Sequence, residues 1–354
     1  GHELPSTPTE SGKSFANPPL SGYTLTNALR FDGRISVLAI MQSLTLRQHT
    51  FTWGTQTFIM GIINVTPDSF SGDGLVRDEA WVQAAIDQGR RFVAEGAHLL
   101  DVGGESTRPG SQPVDVDEEL RRVVPVIEGL AKAVDVPISV DTSKAVVAHA
   151  ALQAGASLVN DVWALRLDPP IAEVAARAGA PVILMHNRSK REHAAIDPTL
   201  GGRYVGTDYG DLIEDIRAEL AISLDLARQA GIPDEHIVLD PGIGFGKTVA
   251  QNLELLDRLD ELRGLGYPLL VGPSRKSFIG YTLDLPPEQR IEGTAAAIAI
   301  AIARGADIVR VHDVQAMARV ARMTDAIVRR PGNITANMTA NGGGRSVTAK
   351  EEIG

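Results

Sequence analysis

Short apolar runs recur along the chain. Each is closed by a polar or glycine-rich cluster and followed by a stretch of helical period with charged faces. Eight stand out: FIMGIIN (58–64), AHLLDVGG (97–104), PISVDT (137–142), SLVND (157–161), PVILMH (181–186), HIVLDPG (236–242), PLLVG (268–272) and DIVRVHD (307–313). Continuous apolar runs mark strands buried on both faces, and parallel pairing of such strands needs a crossover helix. The stretches between them, such as DEAWVQAAIDQGRRFVAEG and DEELRRVVPVIEGLAKA, are long enough to supply one. Eight βα units in about 270 residues predict a single (β/α)8 TIM barrel, whose usual size is ~250 residues. The alternative is a doubly wound open sheet, but no G-x-G-x-x-G follows the first run.

The ends read differently. Residues 1–42 are rich in Ser, Thr, Pro, Gly and Asn without sustained period, which predicts a flexible leader. Residues 331–354 are polar and contain Gly342-Gly343-Gly344, which predicts a disordered tail. The barrel is expected over 43–330, entered through a β-hairpin, because LTLRQHTFTWGTQTF alternates polar and apolar residues around Trp53-Gly54.

Composition then removes whole classes of chemistry. With no cysteine, the chain has neither disulfides nor a thiolate nucleophile nor a Cys-ligated zinc site. A net charge of −10 argues against non-specific nucleic-acid binding. The most apolar stretch, Thr294 to Ala303, falls well short of the ~20 residues that cross a bilayer. No secretory signal pattern opens the sequence, so the cytoplasm is the expected location.

The candidate chemistry sits at the C-terminal ends of the runs: Asn64, Asp101, Asp141, Asn160-Asp161, His186, Asp240, Ser274-Arg275-Lys276 and Arg310-x-His312. In a barrel all of these ends share one mouth, where the active site forms. Desolvating so many charges together is costly unless they pair with one another or with a ligand. Arg310 and His312 lie two apart on one strand and so face the same way, a pair suited to a phosphate or diphosphate. The competing reading is that Arg310 pairs with a neighbouring carboxylate. Asn64 offers an amide oxygen to a hard cation bridging diphosphate oxygens. Two long loops, after the first and second runs, have the Gly/Pro punctuation of lids, and Arg108 in the second could grip a carboxylate. Phe245, in the Asp240–Lys247 loop, could stack on a flat aromatic ligand or simply cover the core. His149 and His186 read as packing or backbone-bonding residues, and Arg90-Arg91 and Arg121-Arg122 as solvated helix faces.

The series IMGIINVTPDSFS, DVGGESTRPGS, ISVDTSKA, VNDV, ILMH, LDPGIGFGKT, LLVGPSRKSFIG and ADIVRVHDV, over residues 58 to 325, closely resembles the dihydropteroate synthase family. The resemblance implies condensation of (7,8-dihydropterin-6-yl)methyl diphosphate with 4-aminobenzoate to give 7,8-dihydropteroate and diphosphate. It also implies Mg²⁺, sulfonamides as mimics of 4-aminobenzoate, and a homodimer built through the later helices, with Ala295–Ala303 as a candidate surface. By resemblance Asp141, Asn160, Met185, Asp240, Phe245, Gly272 and Lys276 hold the pterin. Asn64, Arg310 and His312 take the diphosphate, with Asn64 on the metal. Phe70, Thr107, Arg108, Pro109 and Ser277 face 4-aminobenzoate. Asp141, Asp240, Lys276, Arg310 and His312 are the implied catalytic set. A sulfonamide-insensitive form of the same enzyme is one variant reading. A corrinoid-dependent methyltransferase of methyltetrahydrofolate would share the pocket but needs neither the diphosphate clamp nor the two loops. A non-catalytic pterin-binding paralogue would be expected to lose some of Asn64, Arg108, Lys276 and Arg310, and all are present.

Overall fold

A computed structural model describes residues 43–65, 78–107, 111, 113–190, 193–205 and 208–329. The chain opens with an antiparallel hairpin, β1 (Ser43–Leu46) and β2 (His49–Thr52). Its reversal falls on Arg47-Gln48, not on the expected Trp53-Gly54. Leu46 pairs with His49, and Arg47 takes a left-handed φ of 53°. Trp53-Gly54 instead turns the chain into the first barrel strand, with Gly54 at φ 78°.

Eight parallel strands follow: β3 (Phe58–Asn64), β4 (Leu99–Gly103), β5 (Ile138–Asp141), β6 (Leu158–Asp161), β7 (Val182–Met185), β10 (Ile237–Asp240), β11 (Leu270–Val271) and β12 (Ile308–Val311). Each lies inside one of the eight apolar runs. They pair in the order β10-β7-β6-β5-β4-β3-β12-β11, and a parallel bridge between Leu239 and Leu269 joins β10 to the start of β11 and closes the ring. Strand β11 is the shortest because Gly272-Pro273 follows at once, and proline cannot donate to a ladder.

Helices wrap the outside: α1 (Asp78–Ala94), α2 (Val116–Ala133), α3 (Ala145–Ala154), α4 (Pro170–Ala178), α5 (Leu212–Gln229), α6 (Val249–Asp257), α7 (Ser277–Leu283), α8 (Ile291–Ala303) and α9 (Val314–Val328). Their starts follow local chemistry. Asp115 and Asp211 accept from backbone N–H groups of the first turns of α2 and α5, and Thr248 with Gln251 forms a capping box on α6. One element lay outside the repeating grammar: a second hairpin, β8 (Ala194–Asp197) with β9 (Gly201–Tyr204), inserted after β7. No helix of the described residues is long and apolar enough to cross a membrane.

The period-2 geometry of the strands divides the core into two. Odd-and-even alternation sends Ile59, Ile63, Leu100, Val102, Val140, Leu184 and Leu239 outward against the helices. Phe58, Met60, Leu99, Leu158, Ile183, Val238, Leu270 and Ile308 point inward and form the barrel floor. The β1–β2 hairpin plugs that floor from below with Leu44, Leu46, Phe51 and Trp53. Phe51 and Trp53 meet Phe58 edge-on, with ring centroids 4.8 and 5.7 Å away.

Candidate active site at the mouth of the barrel

The same alternation decides which strand-end residues join the site. Two positions above the floor residue Leu99 lies Asp101; above Leu158, Asn160; above Ile183, Met185; above Val238, Asp240; above Leu270, Gly272; and above Ile308, Arg310 and then His312. Met60 leads in the same way to Asn64, and Ser139 to Asp141. The pterin and diphosphate residues implied by the resemblance, Phe245 and Lys276 apart, therefore share one inward parity on the ring. Asp161 and His186 have the opposite parity and turn toward the helices. Asp161 accepts from Ser143 Oγ and from the N–H groups of Trp163 (2.9 Å) and Leu165 (2.6 Å), so it builds the turn above β6.

A compact charge cluster lies just above the floor. Arg310 donates through Nε to Asp101 (2.6 Å) and through Nη2 to Asp141 (2.7 Å), and Asn160 Nδ2 donates to Asp101 at 3.0 Å. Of the two sequence readings of Arg310, the carboxylate pairing is the one this structure displays. Asp101, a strand-end candidate that the resemblance places in no substrate set, is fully buried, and its Oδ1 has no partner among the described residues. Burial pushes the Asp141 carboxyl up to about 7, with Arg310 opposing and Asp101 and Glu119 adding to the rise. Burial also raises Asp240, against the pull of Lys276. Three acidic groups face two cations, and an unpartnered acceptor is left over. That environment favours a ligand rich in N–H donors.

The Asp240–Lys247 loop forms one wall. Asp240 Oδ1 accepts from the Gly242 N–H at 2.7 Å. Lys276, presented by the Ser274-Arg275-Lys276 turn, rests on the Ile243 carbonyl, with Nζ 4.3 Å from the centre of the Phe245 ring. Burial lowers the Lys276 pKa to about 8, against the raising effect of Asp240. Gly272 packs beside Arg310, where a Cβ would meet the Arg310 Cβ at 3.5 Å. His312 stands at the rim, its Nδ1 3.1 Å from the Ser274 hydroxyl. Asn64 lies half-buried at the end of β3, paired in register with Gly103.

Beside the pocket lies a cavity of about 190 Å³, lined by Thr107, Trp163, Asn187, Lys190, Tyr204 and Phe245 among others. Thr107 is thus brought to the Phe245 wall. Ser277 opens α7 directly after Lys276 and does not line this cavity. Phe70, Arg108 and Pro109 lie outside the described residues. The base of the second loop is tied down by residues the sequence analysis passed over: Lys144 bridges Glu105 and the buried Glu119. Arg122, expected on a solvated face, instead donates to the Gly104 carbonyl at 2.8 Å. His149, expected to pack, is exposed on α3.

Among the described residues no three His, Asp or Glu side chains converge to hold a metal ion. The one donor expected for a metal, the Asn64 amide oxygen, fits only a cation that keeps its other positions for water and diphosphate, which is the habit of Mg²⁺.

Fold and site together define a barrel enzyme for a flat, N–H-rich heterocycle, and the family described as "Pterin binding enzyme" matches residues 60–312. The dihydropteroate synthase of a Synechocystis strain is 50% identical over 287 residues, covering 81% of this chain and 95% of that protein. A crystal structure of the Clostridium difficile dihydropteroate synthase, in the presence of pteroic acid, superposes with a TM-score of 0.71 at 48% identity, covering 78% of this chain and 99% of that one. The Xanthomonas albilineans dihydropteroate synthase with 4-aminobenzoic acid gives 0.72 at 42% identity, over 82% and 99%. The chain belongs to the dihydropteroate synthase family of pterin-binding enzymes.

Proposed function

We propose that the barrel mouth condenses (7,8-dihydropterin-6-yl)methyl diphosphate with 4-aminobenzoate to release 7,8-dihydropteroate and diphosphate. The observation that carries this reading is the inward cluster of Asp101, Asp141, Asn160 and Asp240, with an unpartnered buried carboxylate oxygen, facing Lys276 and Arg310. Carboxylates accept from the N–H edge of a pterin. The Asn160 amide and the Lys276 ammonium donate to its ring nitrogen and carbonyl, and Met185 and Phe245 cover its faces. Lys276 already balances on Phe245, so an entering ring displaces the ammonium from its resting place on Ile243 toward the ligand.

The diphosphate end is assigned to Arg310, His312 and Asn64. In the free protein Arg310 pairs with both Asp101 and Asp141. A diphosphate that draws the guanidinium outward leaves both carboxylates without their cation, and the pterin N–H groups replace it. The two halves of one substrate therefore reinforce each other's binding. Asn64 would hold a Mg²⁺ bound with the diphosphate, and that ion would supply charge neutralisation for the leaving group. The methylene C–O bond breaks, and the electron pair leaves with the diphosphate. Acceptors held against the pterin stabilise the developing cation, and the arylamine nitrogen then forms the C–N bond and loses a proton. Thr107, Arg108, Pro109, Ser277 and Phe70 are assigned to 4-aminobenzoate. The ends expected from the sequence to be flexible, 1–42 and 331–354, lie outside the described residues, and a homodimer through the later helices completes the proposal.

Purified protein supplied with the pterin diphosphate, labelled 4-aminobenzoate and Mg²⁺ is expected to form dihydropteroate. Lys276→Ala and Asp240→Ala are expected to abolish product while circular dichroism stays unchanged. Near-normal turnover by either folded variant would overturn the pocket assignment.

A further inference from the structure

Behind the pterin wall lies a second buried polar chain that the reaction above does not use. Lys247 closes the Asp240–Lys247 loop and is almost fully buried. Its Nζ donates to the carbonyls of Gly242 (2.9 Å) and Phe245 (3.1 Å), and lies 2.9 Å from His186 Nδ1. As an ammonium, Lys247 has three N–H donors and no acceptor, so these three partners saturate it and His186 Nδ1 accepts. The other ring nitrogen, Nε2, then carries the proton and lies 3.2 Å from Glu219 Oε2 of α5, a close approach without the alignment of a hydrogen bond. Glu219 is held in turn by Arg188, whose Nε donates to Oε1 at 2.5 Å. Burial first, and the Lys247 charge second, lower the His186 pKa to about 3. Burial likewise pushes Lys247 well below its usual value, with Asp240 pulling the other way.

The loop has no slack on this side. Gly242 and Gly246 take left-handed φ values of 72° and 60°. A Cβ on Gly242 would overlap the His186 carbonyl, and one on Gly246 the Arg188–Ser189 peptide. Backbone contact and the Lys247 ammonium thus press the loop onto the end of β7. Two carbonyls flanking the pterin wall, those of Gly242 and Phe245, are gathered by one nitrogen.

We propose that Lys247, acting through neutral His186 to Glu219, is a positioning residue that holds Asp240 and Phe245 in the geometry that receives the pterin. The proposal rests on the pterin reading of the site. It adds three residues that touch neither substrate, and it explains a lysine and a histidine buried together behind a binding loop.

Two measurements test it. Long-range ¹H–¹⁵N NMR of histidine-labelled protein reads the ring directly. The expected signature is a bare Nδ1 and a protonated Nε2, unchanged from about pH 8 down to about pH 5. A protonated Nδ1, or an imidazolium at about pH 6, overturns the chain as drawn. Calorimetric titration with 6-hydroxymethylpterin, which needs no turnover, reads the positioning. Lys247→Met is expected to weaken pterin binding on the order of a hundredfold, while KM for 4-aminobenzoate at saturating pterin diphosphate stays unchanged. His186→Asn keeps an acceptor for Lys247 and is expected to retain most of the affinity, whereas His186→Leu loses it. Should Lys247→Met fail to fold, the Asn and Leu pair at position 186 carries the same comparison. Equal pterin affinity in the two His186 variants, or in Lys247→Met and the wild type, overturns the positioning role. A wild type that binds no pterin defeats the functional reading instead and leaves the NMR result to stand alone.

Discussion

At the residue scale the most consequential group is Asp141. Its carboxyl is pushed up to about 7 from an ordinary 3.8, by burial first, with Arg310 opposing. A raised carboxyl pKa means that the folded free protein holds its proton more tightly than the unfolded chain. The stability from that proton is complete below the ordinary value and is lost as pH rises through about 7. A pterin that donates to the carboxylate must expel this proton. Pterin affinity is therefore expected to fall as pH drops below about 7, by roughly tenfold per unit in the limit. Calorimetry in two buffers of different ionisation enthalpy should show proton release at about pH 6.5. A flat affinity between about pH 6 and pH 8 with no release would contradict it. The residue type and position of Asp141, Asn160, Asp240 and Arg310 were legible in the sequence because they end apolar runs. Their mutual pairing was not, because it joins residues up to 209 positions apart, as Arg310 does with Asp101. Asp101 was among the strand-end candidates, but its pairing with Arg310 and Asn160 was not legible, although a parity count from Leu99 places it inside the ring.

At the element scale the Ser274-Arg275-Lys276 turn shows how a fold aims a side chain. Arg275 sits at φ 57°, a left-handed conformation that a non-glycine residue adopts only when held. Thr294 accepts the Arg275 N–H at 3.0 Å, and the buried Arg290 donates to the Arg275 carbonyl at 3.0 Å. Arg290 also donates to Leu285 and, at 2.9 Å, to Leu200 in the β8–β9 hairpin, so one guanidinium pins three segments. Arg290→Met leaves three carbonyls without a donor and is expected to cost about 3 kcal/mol, measured by urea denaturation. An undiminished stability would show that water replaces the guanidinium. The β8–β9 hairpin was not legible in the sequence because its strands are four residues each and mostly half-buried, with no apolar run to announce them. The misplaced reversal in the first hairpin has a similar cause. Alternation alone does not choose between Arg47-Gln48 and Trp53-Gly54. Burial of Trp53 on the barrel floor chooses, because a tryptophan at the tip of a hairpin would lie in water.

For the whole molecule, closure of the ring converts eight separate strand ends into one site, and the outer helices leave a face uncovered. Among the described residues, Ile300 of α8 and Met323 and Ile327 of α9 are about half or more exposed, at 49%, 64% and 49%. Exposed apolar side chains gathered on neighbouring helices fit the proposed homodimer. Sedimentation equilibrium is expected to give twice the chain mass, and Met323→Glu with Ile327→Glu to shift it to one. A wild-type monomer at micromolar concentration would end that proposal. The sequence by itself determined the (β/α)8 class, the order of its strands and the identity of the chemistry at each strand end. Those are properties of local periodicity and of side-chain type, written within a few residues of one another. Only the tertiary structure decided that Arg310 rests on Asp101 and Asp141, that His186 faces outward to Lys247 and Glu219, and that Arg122 and Lys144 secure the second loop. Those pairings depend on which strand lies beside which around a closed ring and on which parity faces its centre. Distance along the chain carries neither.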